Sequence, residues 1–195
     1  MTTYSFALFD TAIGTCGIVW TAHGVAGVQV HNASEQATRT CLLRRFAGAH
    51  EAVPPAQVQR AIDGIVALLR GEKRDLIDVT IDAHRMPEFN RKVYDIARTI
   101  PPGSTLTYGE IAERLGDKLL ARDVGQALGQ NPIPLIVPCH RVLAAGGKTG
   151  GFSAPGGVIS KLRLLTIEGA QPSGPTLFDH LPLAAKRRRR SGERS

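Results

Sequence analysis

The chain has 195 residues, enough for one sizeable core or two small ones, and its 43% hydrophobic content is ordinary for a water-soluble globular protein. No apolar run approaches the ~20 residues of a bilayer span, which excludes a membrane protein as the expectation. The formal net charge of +7 points to a polyanion partner, but six cations against Glu193 concentrate +5 of it in residues 186–195, leaving +2 over residues 1–185. Charge alone therefore does not establish nucleic-acid binding.

Residues 4–9, 17–21 and 25–30 are short apolar and β-branched runs separated by turns at Gly14 and Gly24, and they read as strands. Ser34 caps a helix to about residue 47 that carries Ala37, Cys41, Leu42 and Phe46 on one face, with Cys41 as a small core hydrophobe. Pro55 opens a stronger helix, in which Val58, Ala61, Ile62, Ile65, Val66 and Leu69 keep helical spacing until Gly71 stops it. Residues 76–81 read as a further strand. Residues 1–83 thus form a small α/β unit.

A second unit, residues 84–170, opens with an amphipathic helix built on Phe89, Val93, Ile96, Ala97 and Ile100 and ended by Pro101-Pro102-Gly103. Thr107 and Glu110 fit a capping box for a short helix ending at Leu115-Gly116. A second helix covers residues 119–130, with Ala121, Val124, Gly125 and Leu128 on one face. Such a helix-turn-helix pair binds DNA in some proteins and only packs in many others. Asn131-Pro132 closes it, because a residue before proline disfavours helical geometry. An apolar run leads to Cys139-His140-Arg141, then a glycine-rich loop over 146–157 and a last helix over 158–168, stopped by Gly169. Residues 171–195, with Pro, Ser and a basic run, read as a disordered tail.

The segment Pro138-Cys139-His140-Arg141 carries the most chemistry. A thiolate is the nucleophile, and it needs a base or a positive charge to form; His140 and Arg141 offer one of each. Neighbours on an extended strand point to opposite sides, so the pair cooperates only through a turn or a bridging water. A buried cysteine beside a surface histidine is the plain alternative. Glu168 sits at the negative end of the last helix, where a carboxylate is disfavoured by ~0.3–1 kcal/mol, and it either orients His140 or is a solvated helix-end charge. Gly150, Gly151, Gly156 and Gly157 around Phe152-Ser153 allow close approach to a ligand, or form a flexible surface loop. The Asn131 amide is placed to bond backbone on both sides of the turn.

Other motifs carry less. Gly147-Lys148-Thr149 ends like a P-loop, but Val142 stands where that pattern needs glycine, so nucleotide binding is rejected. Cys16, His23, His31 and Cys41 lack metal-ligand spacing, so no metal or other cofactor is expected. Three unpaired cysteines, with no signal-peptide pattern in residues 1–10, read as reduced thiols in a cytoplasmic protein. The sequon Asn32-Ala33-Ser34 gets no weight without a secretory route.

Taken together, Thr107-Tyr108-Gly109, Ala121-Arg122-x-Val124-Gly125, Asn131-Pro132, Pro138-Cys139-His140-Arg141, Gly151-Phe152-Ser153 and Glu168-Gly169 resemble the O6-alkylguanine-DNA alkyltransferases in identity, order and spacing over residues 89–169. The resemblance implies a ribonuclease-H-like α/β N-terminal domain and a mainly α, winged-helix-like C-terminal domain holding the helix-turn-helix. It implies a monomer that acts once on double-stranded DNA, moving an alkyl group from guanine O6 to Cys139. His140, oriented by Glu168, would deprotonate Cys139 through a water, and Asn131 would brace the turn. Tyr108 would donate to guanine N3 and the Ser153 N–H would meet O6, beside Phe152. The carbonyls of Cys139 and Val142 would accept the exocyclic amine. Arg122 would fill the stack left by a flipped nucleotide while its helix lies in the minor groove, with Thr107, Ala121, Gly125 and Arg141 on the DNA side.

The sequence also departs from that family. Asp123 follows the intercalating arginine where a small residue is usual, Lys118-Leu119-Leu120 replaces a proline- and alanine-rich stretch, and Phe152 stands where tyrosine is common. The positions that bind zinc in some relatives are not Cys or His. Two other readings remain: a lesion sensor that binds without chemistry, which Asp123 favours and Cys139 opposes, and a Cys-His hydrolase or thiol redox enzyme, for which no resolving cysteine is present.

Overall fold

Alternation of apolar residues builds the first layer. In the computed structural model, which describes residues 3–170, strands β1 (Ser5–Phe9), β2 (Cys16–Thr21) and β3 (Gly24–Gln29) form an antiparallel meander. The turns pass through Gly14 and Gly24 at φ of 114° and 131°, a region closed to most side chains. A short strand β4 (His50–Glu51), not foreseen from sequence, pairs in parallel with β1, and the sheet order is β3-β2-β1-β4. Phe6 and Val19 face helix α1 (Glu35–Arg45) through Leu42, while Ala7, Ile18 and Val28 face the larger core with helix α2 (Ala56–Leu69). Ser34 caps α1 by accepting from the Ala37 N–H.

Two expectations fail here. Cys41 is half-buried and accepts from Asn32 Nδ2 at 3.2 Å; the buried residues of α1 are Thr38 and Leu42. Residues 76–81 do not form a strand. The Arg98 guanidinium takes the carbonyls of Leu76, Ile77 and Val79, and Asp75 turns the chain by accepting from Ile77 N, so only Ile81 makes a bridge, to Val25. The backbone there is satisfied by a side chain and not by a ladder.

Helix α3 (Glu88–Arg98) buries Val93, Tyr94 and Ala97, and the Tyr94 hydroxyl donates to the Ala127 carbonyl at 2.9 Å. Strand β5 (Leu106–Thr107) runs into helix α4 (Tyr108–Arg114) through a complete Thr107–Glu110 capping box. Asp117 accepts from Leu119 N and sets off a separate 3-10 turn, Lys118–Leu120, before helix α5 (Ala121–Gly129). Strand β6 (Val142–Leu143) pairs in parallel with β5, and helix α6 (Gly157–Ile167) closes the described residues. One apolar cluster runs from the sheet through α2 and α3 to Ile133, Val137 and Cys139. The edge of β3 is tied to the segment ahead of the cysteine, Val28 N donating to the Pro132 carbonyl at 3.0 Å. The sequence reading of residues 171–195 lies outside the described residues.

Candidate active site

Three prolines at 132, 134 and 138 keep the apolar run ahead of Cys139 from becoming a strand. Leu135 instead takes φ 76°, a left-handed conformation that costs a non-glycine residue roughly 1–2 kcal/mol. Burial of Leu135 and the Asn131 side chain hold it there. Asn131 Nδ2 donates to the Val137 carbonyl at 2.9 Å, and its Oδ1 accepts from Ile133 N at 2.9 Å. The second amide hydrogen points at Cys139 Sγ, 3.3 Å away.

Cys139–Arg141 is a single 3-10 turn, so the two neighbours diverge. Cys139 reaches a groove with 7% exposure, whereas His140 is fully enclosed. His140 Nε2 lies 2.9 Å from Glu168 Oε1, placed by the C-terminal end of α6. With the Nε2 proton on that carboxylate, Nδ1 is left as a lone-pair acceptor, and it is buried without a protein partner. Arg141 was expected on the DNA side. It is 3% exposed and its Nε and Nη2 both donate to Glu168 at 2.8 Å, with Nη1 on the Ile100 carbonyl, because a carboxylate in this interior requires a full set of donors.

Electrostatics follow the geometry. Burial pushes the Cys139 thiol up, against the Asn131 amide, the Lys161 charge and the backbone N–H groups of Cys139 and His140. Burial likewise pushes His140 down, keeping it neutral against the pull of Glu168. Glu168 is raised by burial but lowered more by its bonds to His140 and Arg141, and settles at about 2. The site is thus a neutral imidazole on a fixed carboxylate, with Nδ1 turned away from that carboxylate as an acceptor.

A groove of about 550 Å³ gathers most of the residues singled out from sequence: Tyr108, Ala121, Arg122, Gly125, Phe152 and Ser153 line it with Cys139. A Cβ at Gly125 on α5 would stand 3.9 Å from the Tyr108 ring, and Arg122 is exposed at the start of α5. Thr107 is not on the groove wall; it caps α4 and so positions Tyr108. Val142 is enclosed, and its carbonyl accepts from Lys161 Nζ at 2.6 Å, which leaves one of its two lone pairs. A second groove of similar volume reaches Cys139 from the sheet side, past Gln29, Cys41, Arg44 and Arg45. Lys161 itself escaped the sequence reading, although it shares the stripe of Leu164, Leu165 and Glu168 at i, i+3, i+4 and i+7.

Among the described residues, no group of three or more His, Cys, Asp or Glu side chains is placed to hold a metal ion, and no helix is long and apolar enough to cross a membrane. Residues 88–170 match the family model described as 6-O-methylguanine DNA methyltransferase, DNA binding domain. The chain is similar to the methylated-DNA–protein-cysteine methyltransferase of Methanothermobacter thermautotrophicus, at 34% identity over 81% of each chain. Against the enzyme of that description from Mycobacterium tuberculosis the identity is 42%, over 67% of this chain and 77% of the relative. The fold is similar to the crystal structure of Mycobacterium tuberculosis OGT in complex with DNA, with a TM-score of 0.67 at 32% identity, covering 85% of this chain and 92% of that one. With this likeness spanning both the mixed sheet and the helices around Cys139, the chain belongs to the methylated-DNA–protein-cysteine methyltransferase family.

Proposed function

We propose that Cys139 is the acceptor in this protein's reaction, the direct transfer of an alkyl group from guanine O6 in DNA to a cysteine. The observation that carries the assignment is the unpartnered Nδ1 of buried His140, whose other nitrogen is fixed by Glu168 directly behind the turn that carries Cys139. His140 takes the Cys139 proton through a bridging water. The thiolate attacks the alkyl carbon in line; the C–S bond forms as the C–O bond breaks, and the electron pair leaves on O6. Tyr108, donating to guanine N3, and the Ser153 N–H, donating to O6, stabilise that charge. The neutral thioether has no leaving group for water to replace, so each molecule acts once.

A base within a duplex does not reach Cys139, so the nucleotide flips into the groove at a cost of a few kcal/mol, with Arg122 filling the gap and α5 in the minor groove. On this reading residues 1–83 are a ribonuclease-H-like support and residues 84–170 a winged-helix-like reactive domain. The site is complete within one chain, which suits a monomer. Three free cysteines suit a reducing cytoplasm.

The test is incubation with a duplex containing O6-methylguanine, followed by intact and peptide masses. One gain of about 14 Da on Cys139, stopping at one per molecule, is expected for transfer to a thiolate. Cys139→Ala should bind the duplex and gain nothing. Binding without an adduct on the unaltered protein would make it a sensor, and repeated turnover a hydrolase.

A further inference from the structure

Among the described residues, Leu119 is the only leucine that stands in solvent, at 87% exposure. Asp117 presents it: the carboxylate accepts from Leu119 N at 2.8 Å and starts the 3-10 turn, which passes through Leu120 (φ −72°, ψ 0°) into α5. Leu120 packs against the core and Leu119 does not. The residues that follow, Ala121 and Arg122, line the groove that leads to Cys139. A large apolar side chain is thus held in water one turn ahead of Arg122.

Charge on this stretch does not favour DNA. Over residues 113–123 the cations Arg114, Lys118 and Arg122 are matched by Glu113, Asp117 and Asp123, and Lys118 is already paired with Glu113 at 3.1 Å. The net attraction of this segment for phosphate is therefore close to nil. A segment that enters a minor groove without net positive charge gains its affinity from contact, and proteins of that kind insert apolar side chains between base steps. Leu119 is the side chain on this stretch free to do so.

We propose that Leu119 is a positioning residue for duplex DNA: an apolar wedge that enters the minor groove beside Arg122 and parts the base step next to the extruded nucleotide. This rests on the reading of α5 as the DNA-facing helix. Leucine suits the task. It has no polar group to desolvate, its contact with base faces is indifferent to sequence, and it loses its own exposed apolar surface when it goes in. The Asp117 cap fixes the turn before DNA arrives, so less order is imposed on binding. The two side chains divide the work: Arg122 fills the vacated stack, and Leu119 keeps the neighbouring step from closing. Asp123 fits the same scheme, because apolar contact replaces the phosphate attraction that its charge removes.

The unaltered protein and its Leu119→Ser, Leu119→Met, Leu119→Lys and Arg122→Ala variants are compared in single turnover on an O6-methylguanine duplex and on the free base. Duplex affinity is measured in the Cys139→Ala background from about 50 to 300 mM salt. The Leu119 variants should melt with the unaltered protein, since that side chain touches no core. Leu119→Ser should lower duplex affinity roughly ten- to a hundredfold at every salt concentration with an unchanged salt slope. The ratio of duplex to free-base transfer should fall by a similar factor. Leu119→Met should restore both. Leu119→Lys should steepen the slope by about one and gain affinity at low salt only, while duplex transfer stays as low as with Ser. Duplex transfer by the Lys variant as fast as by the unaltered protein would make the contact one to phosphate. Unchanged affinity with Ser would leave Leu119 outside the duplex. Either result overturns the wedge. If Arg122→Ala slows duplex transfer and Leu119→Ser does not, this inference alone fails; if neither does, the placing of α5 against DNA fails with it.

Discussion

At the residue scale the site is a set of bonds with little slack, and Asn131 shows it best. Its one amide group bonds the backbone on both sides of the strained Leu135 turn and also faces the Cys139 sulfur. Asn131→Ala leaves the buried Ile133 N–H unpaired, at about 1–3 kcal/mol. Asn131→Asp goes further, setting a carboxylate against the sulfur where a donor stood, and disfavouring the thiolate. Single-turnover transfer should therefore fall in both variants, and more in Asp than in Ala, even if Asp melts at the higher temperature. Equal rates in the two would show that the amide acts on the turn alone. Cys139, His140, Glu168 and Asn131 were legible in sequence because each breaks a local rule: a reactive pair after proline, a carboxylate at the wrong helix end, an Asn-Pro stop. Arg141 was misplaced, since sequence does not say whether an arginine beside Cys-His faces phosphate or a buried carboxylate.

At the scale of elements, hydrophobic period and capping placed nearly every helix and the three long strands, for these are properties of contiguous residues. What failed depended on distant partners. The loop over 76–81 has strand composition, but Arg98, about twenty residues on, takes its carbonyls. Lys161 reads as a polar residue on α6, and only the packing of β6 and the glycine-rich loop around it gives it meaning. Helix α5 is the element proposed to bear on DNA. It exposes Arg122 next to Asp123, preceded by Leu119 at 87% exposure. Arg122→Ala should slow transfer from duplex DNA strongly, with much less effect on the free base O6-methylguanine, because only the duplex requires extrusion. An unchanged duplex rate, measured in single turnover, would remove Arg122 from that role.

For the whole molecule, the Cys139 turn is where the two halves of the chain meet: the β3 edge holds Pro132, the shared core holds Cys139, and α6 brings Glu168 beneath it. Stability and reactivity therefore share the same buried charges, and acid should undo both. Glu168 is held at about 2 against an ordinary 4.5, so its contribution is complete above 4.5 and is lost as pH falls toward 2. His140 is lowered from 6.5 by burial, so below about pH 6.5 the unfolded chain takes a proton that the folded one refuses. The two effects have the same sign, and unfolding free energy should fall steadily from neutral pH into acid. Glu168→Gln separates them. It strands the buried Arg141 guanidinium, which should cost about 3–5 kcal/mol at pH 7. It also removes the Glu168 titration, so its curve should flatten below pH 4.5 while keeping the slope just below 6.5. Urea unfolding at pH 7, 5.5, 4 and 3 gives both slopes. Parallel curves for the two proteins down to pH 3 would mean that the carboxylate under His140 does not carry the acid sensitivity of the fold.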